Sequence, residues 1–264
     1  MSNILEIRNL KVNFYLPHQT ITAVEEVNLD IKKDEIVVLA GESGSGKTIT
    51  ALSITRLIPP NARIISGSIK FNNENLLGLE ESRLIDIRGR GIAYIFQEPV
   101  SFLNPLYTVA EQIAEAVMLH KNKTKKESIL EAKALLEMVK IKDAEKVLFD
   151  YPHQLSGGMN QRVFIAMALA LQPRLLIADE PTTSLDVTTE AEILNLLLQL
   201  KNELGFSLLF ITHNLSIARK IADRVCIMHN GKIVEEGAWE DIYHSPKHFH
   251  TKELIEAYEK IGKI

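Results

Sequence analysis

The chain reads as an α/β protein with a mostly parallel core sheet, an antiparallel β part at its N-terminus and a helical insertion in its middle. Three observations predict this. Short, purely apolar runs at residues 36–40, 175–178 and 208–211 alternate with segments of helical spacing, the pattern of strands buried on both faces and joined by helical crossovers. The first of these runs enters Gly41, Glu42, Ser43, Gly44, Ser45, Gly46, Lys47 and Thr48, a Gly-x-x-x-x-Gly-Lys-Thr phosphate-binding loop followed by a helix-compatible stretch. Residues 109–117 and 127–139 carry apolar positions at helical spacing without intervening strands, marking the insertion.

In order, residues 4–14 and 21–31 alternate apolar and polar side chains. This predicts two strands with one wet face, joined through Pro17, His18 and Gln19. Pro59, Pro60 and Asn61 stop the helix after the glycine loop, and Ile69 to Asn73 reads as a hairpin fragment. A buried strand at 92–96 delivers Gln97 at its end. Lys121, Lys123, Lys125 and Lys126 lie in a stretch expected to be a solvated loop between two helices. A helix follows from 161, and strands at 175–178, 207–212 and 224–229 alternate with a long helix at 188–204 before a turn at Asn230 and Gly231. One domain, 1–264, is expected, divided into a core from 1–98 and 161–235, a helical part at 99–160 and a C-terminal helical tail at 236–264.

Composition narrows the classes. With 264 residues and 46% hydrophobic content the chain can bury a full core, and a net charge of −4 supplies no basic excess for nucleic acid, so no nucleic-acid partner is expected. The single cysteine, Cys226, sits in an apolar run and allows no internal disulfide, which fits a reducing cytosolic compartment. Neither a signal peptide nor a membrane-spanning run is read.

The chemistry gathers at strand ends. Glycines 41, 44 and 46 let successive amides turn towards one anion, Lys47 adds a full charge, and the Thr48 hydroxyl can ligate magnesium. Asp179 and Glu180 end an apolar strand at the edge where α/β sheets bind ligands, placing Asp179 to hold magnesium and Glu180 to polarise an attacking water. His213 follows the strand at 207–212 and can orient that water. Ser156, Gly157 and Gly158 open another helix, a second N-terminus suited to an anion. Phe14 and Tyr15, at the end of the first strand, offer rings for a base.

Together these residues resemble the nucleotide-binding subunit of an ABC transporter over nearly the whole chain. Residues 41–48 match the family's Walker A motif, Gln97 its Q-loop, Ser156, Gly157 and Gly158 its signature, and 175–179 its Walker B strand with Glu180 as catalytic carboxylate. Ser184, Leu185 and Asp186 are similar to its D-loop and His213 to its switch histidine. The resemblance implies that ATP lies on Gly41 to Ile49 with Phe14 stacked on adenine and Tyr15 as the alternate. It further implies that Thr48, Gln97 and Asp179 hold Mg2+, and that Ser156 contacts the terminal phosphate on a second cassette.

A narrower likeness is to importers of peptides, nickel and metal chelates. Residues 94–105 are similar to that branch's extended Q-loop, and 245–254 to its Pro-x-His-Pro-Tyr-Thr segment, with Phe249 and His250 in place of Pro-Tyr; Asn160 departs from its post-signature residue. That branch implies two transmembrane permeases, an extracytoplasmic solute-binding protein and a peripheral position on the cytoplasmic face of the membrane. Longer members carry a cysteine-rich extension not found here, which leans towards nickel or chelates. His244, His248 and His250 read as a solvated, partner-facing tail, since no cysteine or acidic cluster completes a ligand set. A soluble ABC ATPase and an exporter cassette are the alternatives.

Overall fold

The computed structural model describes residues 2–261; Met1 and residues 262–264 of the expected domain lie outside them, as do the side chains at 99 and 100 within the predicted Q-loop segment. In chain order the elements are β1 (Asn3–Leu16), β2 (Gln19–Lys32), β3 (Ile36–Ala40), α1 (Lys47–Ile54), β4 (Ala62–Phe71), β5 (Glu74–Asn75) and α2 (Glu81–Arg90). There follow β6 (Ile92–Ile95), α3 (Pro99–Phe102), α4 (Val109–Lys121), α5 (Lys125–Met138), α6 (Ala144–Val147), α7 (Gly157–Leu169), β7 (Leu175–Asp179) and α8 (Val187–Leu204). The chain ends with β8 (Ser207–Thr212), α9 (Leu215–Ile221), β9 (Arg224–His229), β10 (Lys232–Gly237), α10 (Trp239–His244) and α11 (Phe249–Ile261). Two compact units divide it, one of Met1–Leu84 with Ser207–Ile264, the other of Ile85–Phe206.

In the first unit an antiparallel sheet runs β2-β1-β4-β5, and its alternation is the one the sequence carries: Leu5, Ile7, Leu10 and Val12 are buried while Glu6, Arg8 and Lys11 stay at least partly wet. Each fully buried aliphatic side chain contributes about 1.5–3 kcal/mol. Arg8 clamps Asp30 across the strand pair, its Nη2 donating to Oδ2 at 2.9 Å. The hairpin expected at Ile69 to Asn73 is present, Lys70 and Phe71 pairing with Asn75 and Glu74 of β5, and its first strand is longer than expected: β4 starts at Ala62, just after Pro59, Pro60 and Asn61, and pairs with β1 as far back as Phe14. A second group of strands is ordered β10-β9-β3-β8. All five residues of β3 are buried, because it lies parallel between β8 and β9. Cys226, fully buried in β9, has its thiol pushed up to about 12, first by desolvation, which leaves it the inert hydrophobe its context predicted.

In the second unit β6 pairs parallel with β7, from Ile92 against Leu175 to Ile95 against Ala178. Helices α4, α5 and α7 pack on one another beside this pair. Both insertion helices begin with reciprocal capping boxes. Thr108 accepts from the Glu111 amide at 3.3 Å while Glu111 accepts from the Thr108 amide at 3.0 Å, and Thr124 and Glu127 do the same at 3.4 and 2.9 Å; such caps contribute about 0.5–2 kcal/mol each. The second box corrects the expected loop of lysines: Lys121 ends α4, Lys125 and Lys126 open α5, and Lys121 and Lys123 both bond the Glu131 carboxylate. In α8, Ile193, Leu194, Leu196, Leu197 and Leu200 form the buried stripe of an amphipathic helix. Among the described residues no helix is long and apolar enough to cross a membrane.

Candidate nucleotide site

The first unit carries the glycine loop between β3 and α1. Gly46 stands at the helix entrance with φ +105°, and a Cβ there would lie 2.4 Å from the Ala23 carbonyl oxygen, so the loop's close approach to β2 requires glycine. Gly44 differs: its φ is +78°, and nothing lies within 4 Å of where a Cβ would stand. Its missing side chain opens space over the loop instead of relieving a clash. Ser45 Oγ is buried and has no hydrogen-bond partner among the described residues. Lys47 is 5% exposed, and its ammonium donates to the loop's own carbonyls at Gly41 (2.8 Å) and Glu42 (2.7 Å). Glu42, Ser43 and Thr48 are exposed and Ile49 half-buried. A glycine-rich turn at a helix start, an unsatisfied hydroxyl and a lysine within reach suit an anion of phosphate size.

Strand register decides what else stands at this edge. In the parallel pair β3–β8, Ala40 faces Thr212, so Gly41 and His213 leave neighbouring strands at the same level. His213 is exposed, and the next residue, Asn214, caps α9 by accepting from the Ser216 amide at 2.9 Å. Phe14 is half-buried and faces Ile21 and Ala62 across the sheet, whereas Tyr15 is 45% exposed and lines a shallow cleft with Pro60, Asn61 and Arg63.

The second unit repeats the geometry. Ile95 faces Ala178, which brings the ends of β6 and β7 level and sets Gln97 and the pair Asp179–Glu180 at one edge. Asp179 is 7% exposed and Gln97 is exposed. Glu180 takes φ +45°, a backbone region costly for a residue with a side chain, and its carboxylate accepts from the Thr183 hydroxyl at 2.9 Å; strain of this kind is characteristic of functional positions. Beyond Gln97 the chain folds back so that Phe102 stacks on Phe96 with ring centroids 4.4 Å apart.

Ser156, Gly157 and Gly158 stand at a helix start, as their types suggest. Ser156 is exposed and caps α7, accepting from the Met159 amide at 3.3 Å. What the sequence did not disclose is that Leu185 and Thr189 lie against it. A Cβ on Gly158 would stand 2.8 Å from Thr189 Cγ2, and one on Gly157 3.8 Å from Leu185 Cδ2. Ser184 is exposed and Leu185 half-buried. Asp186 caps α8 by accepting from the Thr188 and Thr189 amides at 3.1 and 3.0 Å, and the Thr189 hydroxyl and amide hold its carboxyl below the ordinary range. Asn160 is a structural residue: it is 3% exposed and donates to the Pro152 carbonyl at 3.0 Å, tying α7 to the turn before it.

The histidine tail needs correction. His244 is exposed beside Glu240, as expected, but His250 is only 5% exposed and its ring lies 3.7 Å, centroid to centroid, from that of His229. Burial follows from α11 turning back onto the first unit, where it packs against α9.

An α/β unit with a glycine loop between a buried parallel strand and a helix, bearing a buried lysine, defines a P-loop nucleotide-binding protein. Residues 24–183 match the family model described as "ABC transporter", and the chain belongs to that family. It is 50% identical over 258 residues to the peptidoglycan transport ATP-binding protein YejF of Agrobacterium fabrum, covering 97% of this chain and 47% of that protein. It is 42% identical over 268 residues to the glutathione import ATP-binding protein GsiA of Shigella dysenteriae serotype 1, covering 99% and 43%. The chain thus spans about half the length of these curated relatives. The dimeric ATP-binding cassette MJ0796, in a post-hydrolysis state bound to ADP and Pi, superposes with a TM-score of 0.79 at 30% identity, covering 89% of this chain and 98% of that one.

Proposed function

We propose that this chain is the ATP-hydrolysing cassette of a membrane importer and drives transport by closing on a second cassette around ATP. The observation that carries the reading is the order of the motifs on the family's fold. Glycine loop, Gln97, signature, Asp179–Glu180, D-loop and His213 follow one another in the chain, and each stands at a strand end or helix start suited to phosphate chemistry. In this reading the loop from Gly41 to Ile49 binds the phosphates, with Lys47 exchanging its carbonyl partners for phosphate oxygens. Glu180 takes the proton from the attacking water, His213 orients that water, and Gln97 contributes beside them. General-base assistance of this kind is typically worth about 10² to 10⁴ in rate. Thr48, Asp179 and Gln97 all supply hard oxygen donors, the set magnesium prefers, and would hold it. When bound, the ion neutralises charge on the phosphates. Ser156, Gly157 and Gly158 address the nucleotide on the partner cassette, and the exposed D-loop residue Ser184 belongs to the same face.

The cassette would sit peripherally on the cytoplasmic side of the membrane, with two permeases and an extracytoplasmic binding protein completing the importer. The likeness to a peptidoglycan transport protein and a glutathione import protein favours a peptide-like cargo and lends nickel no support. The test is Glu180→Gln, which is expected to bind Mg-ATP, to lose about 10² to 10⁴ of its turnover and to accumulate as an ATP-bound dimer with its cognate cassette. Turnover near that of the unmodified chain would remove Glu180 from the role. Ser156→Arg should abolish turnover while the monomer still binds ATP; loss of that binding would place Ser156 in its own chain's site.

A further inference from the structure

We propose that Glu42, His229 and His250 form a binding site for a divalent first-row transition-metal ion, with zinc as the reference, that ties the C-terminal helix to the phosphate loop. This does not rest on the ATPase reading. The three residues come from separate parts of the first unit: Glu42 from the glycine loop, His229 from the end of β9, and His250 from the first turn of α11. One ligand atom from each lies within 4.8 Å of the other two. Around a single ion at ordinary bond lengths of about 2.0–2.2 Å, such atoms stand about 3.4 Å apart. The exposed Glu42 side chain has to close by little more than an ångström, and His229, whose Nε2 lies 2.9 Å from Asn230 Nδ2, either offers Nδ1 or exchanges that contact for the ion.

His250 supplies the independent observation. Its ring is 5% exposed, yet Nε2 has no hydrogen-bond partner among the described residues. A buried polar atom left this way is costly, and nearly all are paired in native proteins. A metal ion is the partner that a buried imidazole nitrogen, another imidazole and a carboxylate together call for. The other nitrogen, Nδ1, lies 3.6 Å from Glu253 Oε2, the outer carboxylate that commonly orients a metal-bound histidine. The His248 ring nitrogen Nδ1 accepts from the His250 amide at 3.2 Å and fixes the start of the helix. A set of two imidazoles and one carboxylate leaves a fourth position for water and selects zinc, cobalt, nickel or copper. Magnesium, which prefers oxygen ligands and dehydrates reluctantly, is excluded.

The test uses the full chain without nucleotide, titrated with Zn2+ by calorimetry and with Co2+ by visible absorption. One equivalent is expected, with the strong visible bands of four-coordinate cobalt, undisturbed by millimolar Mg2+. His229→Gln and His250→Phe should each weaken binding at least tenfold, and Glu253→Gln by about 10- to 100-fold, while the urea midpoints measured without metal stay put. Zinc should also slow amide exchange both at Glu42 and in the first turn of α11. Failure to bind one equivalent, displacement by Mg2+, or unchanged affinity in His229→Gln would overturn the proposal. Because His229 is only half-buried, its variant keeps the test decisive even if His250→Phe misfolds.

Discussion

Replacing Gly46 and Gly44 separately by alanine distinguishes a glycine needed for folding from one needed for binding. At Gly46 two penalties add. An L-residue forced to a positive φ costs about 1–2 kcal/mol. A methyl group 2.4 Å from the Ala23 carbonyl oxygen and 2.9 Å from Met228 Cε must displace backbone, an overpacking penalty of about 1–3 kcal/mol. The sum is about 2–5 kcal/mol. Gly44→Ala carries only the torsional part, about 1–2 kcal/mol, because nothing lies within 4 Å. At a urea m-value of about 2 kcal/mol/M, the difference should separate the two midpoints by roughly 0.5–1.5 M. Affinity for a fluorescent ATP analogue should behave oppositely: with phosphate on the loop as proposed, the methyl of Gly44→Ala stands over it and should weaken binding markedly while the fold persists. Coincident midpoints, or a milder effect at Gly46, would refute the reasoning.

Two further outcomes are expected. Of the two rings offered to adenine, removal of the correct one should lower ATP-analogue affinity several-fold. A loss confined to Tyr15→Ala, whose ring is the more exposed, would transfer the base-stacking role from Phe14 to Tyr15. The second concerns Glu131. Burial pushes its carboxyl up, but the bonds from Lys121 and Lys123 outweigh this and hold it below its ordinary 4.5. The stability difference between the chain and Glu131→Gln, about 0.5–2 kcal/mol for two such pairs, should therefore be complete above pH 4.5 and shrink as pH falls through the lower folded value. A difference that stays constant as pH falls well below 4.5 would contradict the assignment.

The elements legible in the sequence were those whose reason is local. An unbroken apolar run such as β3 or β8 announces a strand buried on both faces, and a glycine loop after it announces an anion. Thr108-x-x-Glu111 and Thr124-x-x-Glu127 were legible too, as capping signals, and reading them would have shortened the expected lysine loop. Other features depend on partners distant in sequence. Helix α2 is short and is broken at Arg88 and Gly89, where the glycine takes φ +95°. The length of β4 is set by pairing with β1, which overrides the two prolines just before it. His250 looks like one of several tail histidines until α11 folds back to meet His229 and the loop. The inward turn of Asn160 likewise answers a carbonyl eight residues away.

The contact between Gly158 and Thr189 has a mechanical consequence. The start of α7 is seated against the start of α8, and Asp186 holds that second start closed through its cap. Because a Cβ at Gly158 would stand only 2.8 Å from Thr189 Cγ2, a displacement of either helix start towards the other presses directly on its neighbour.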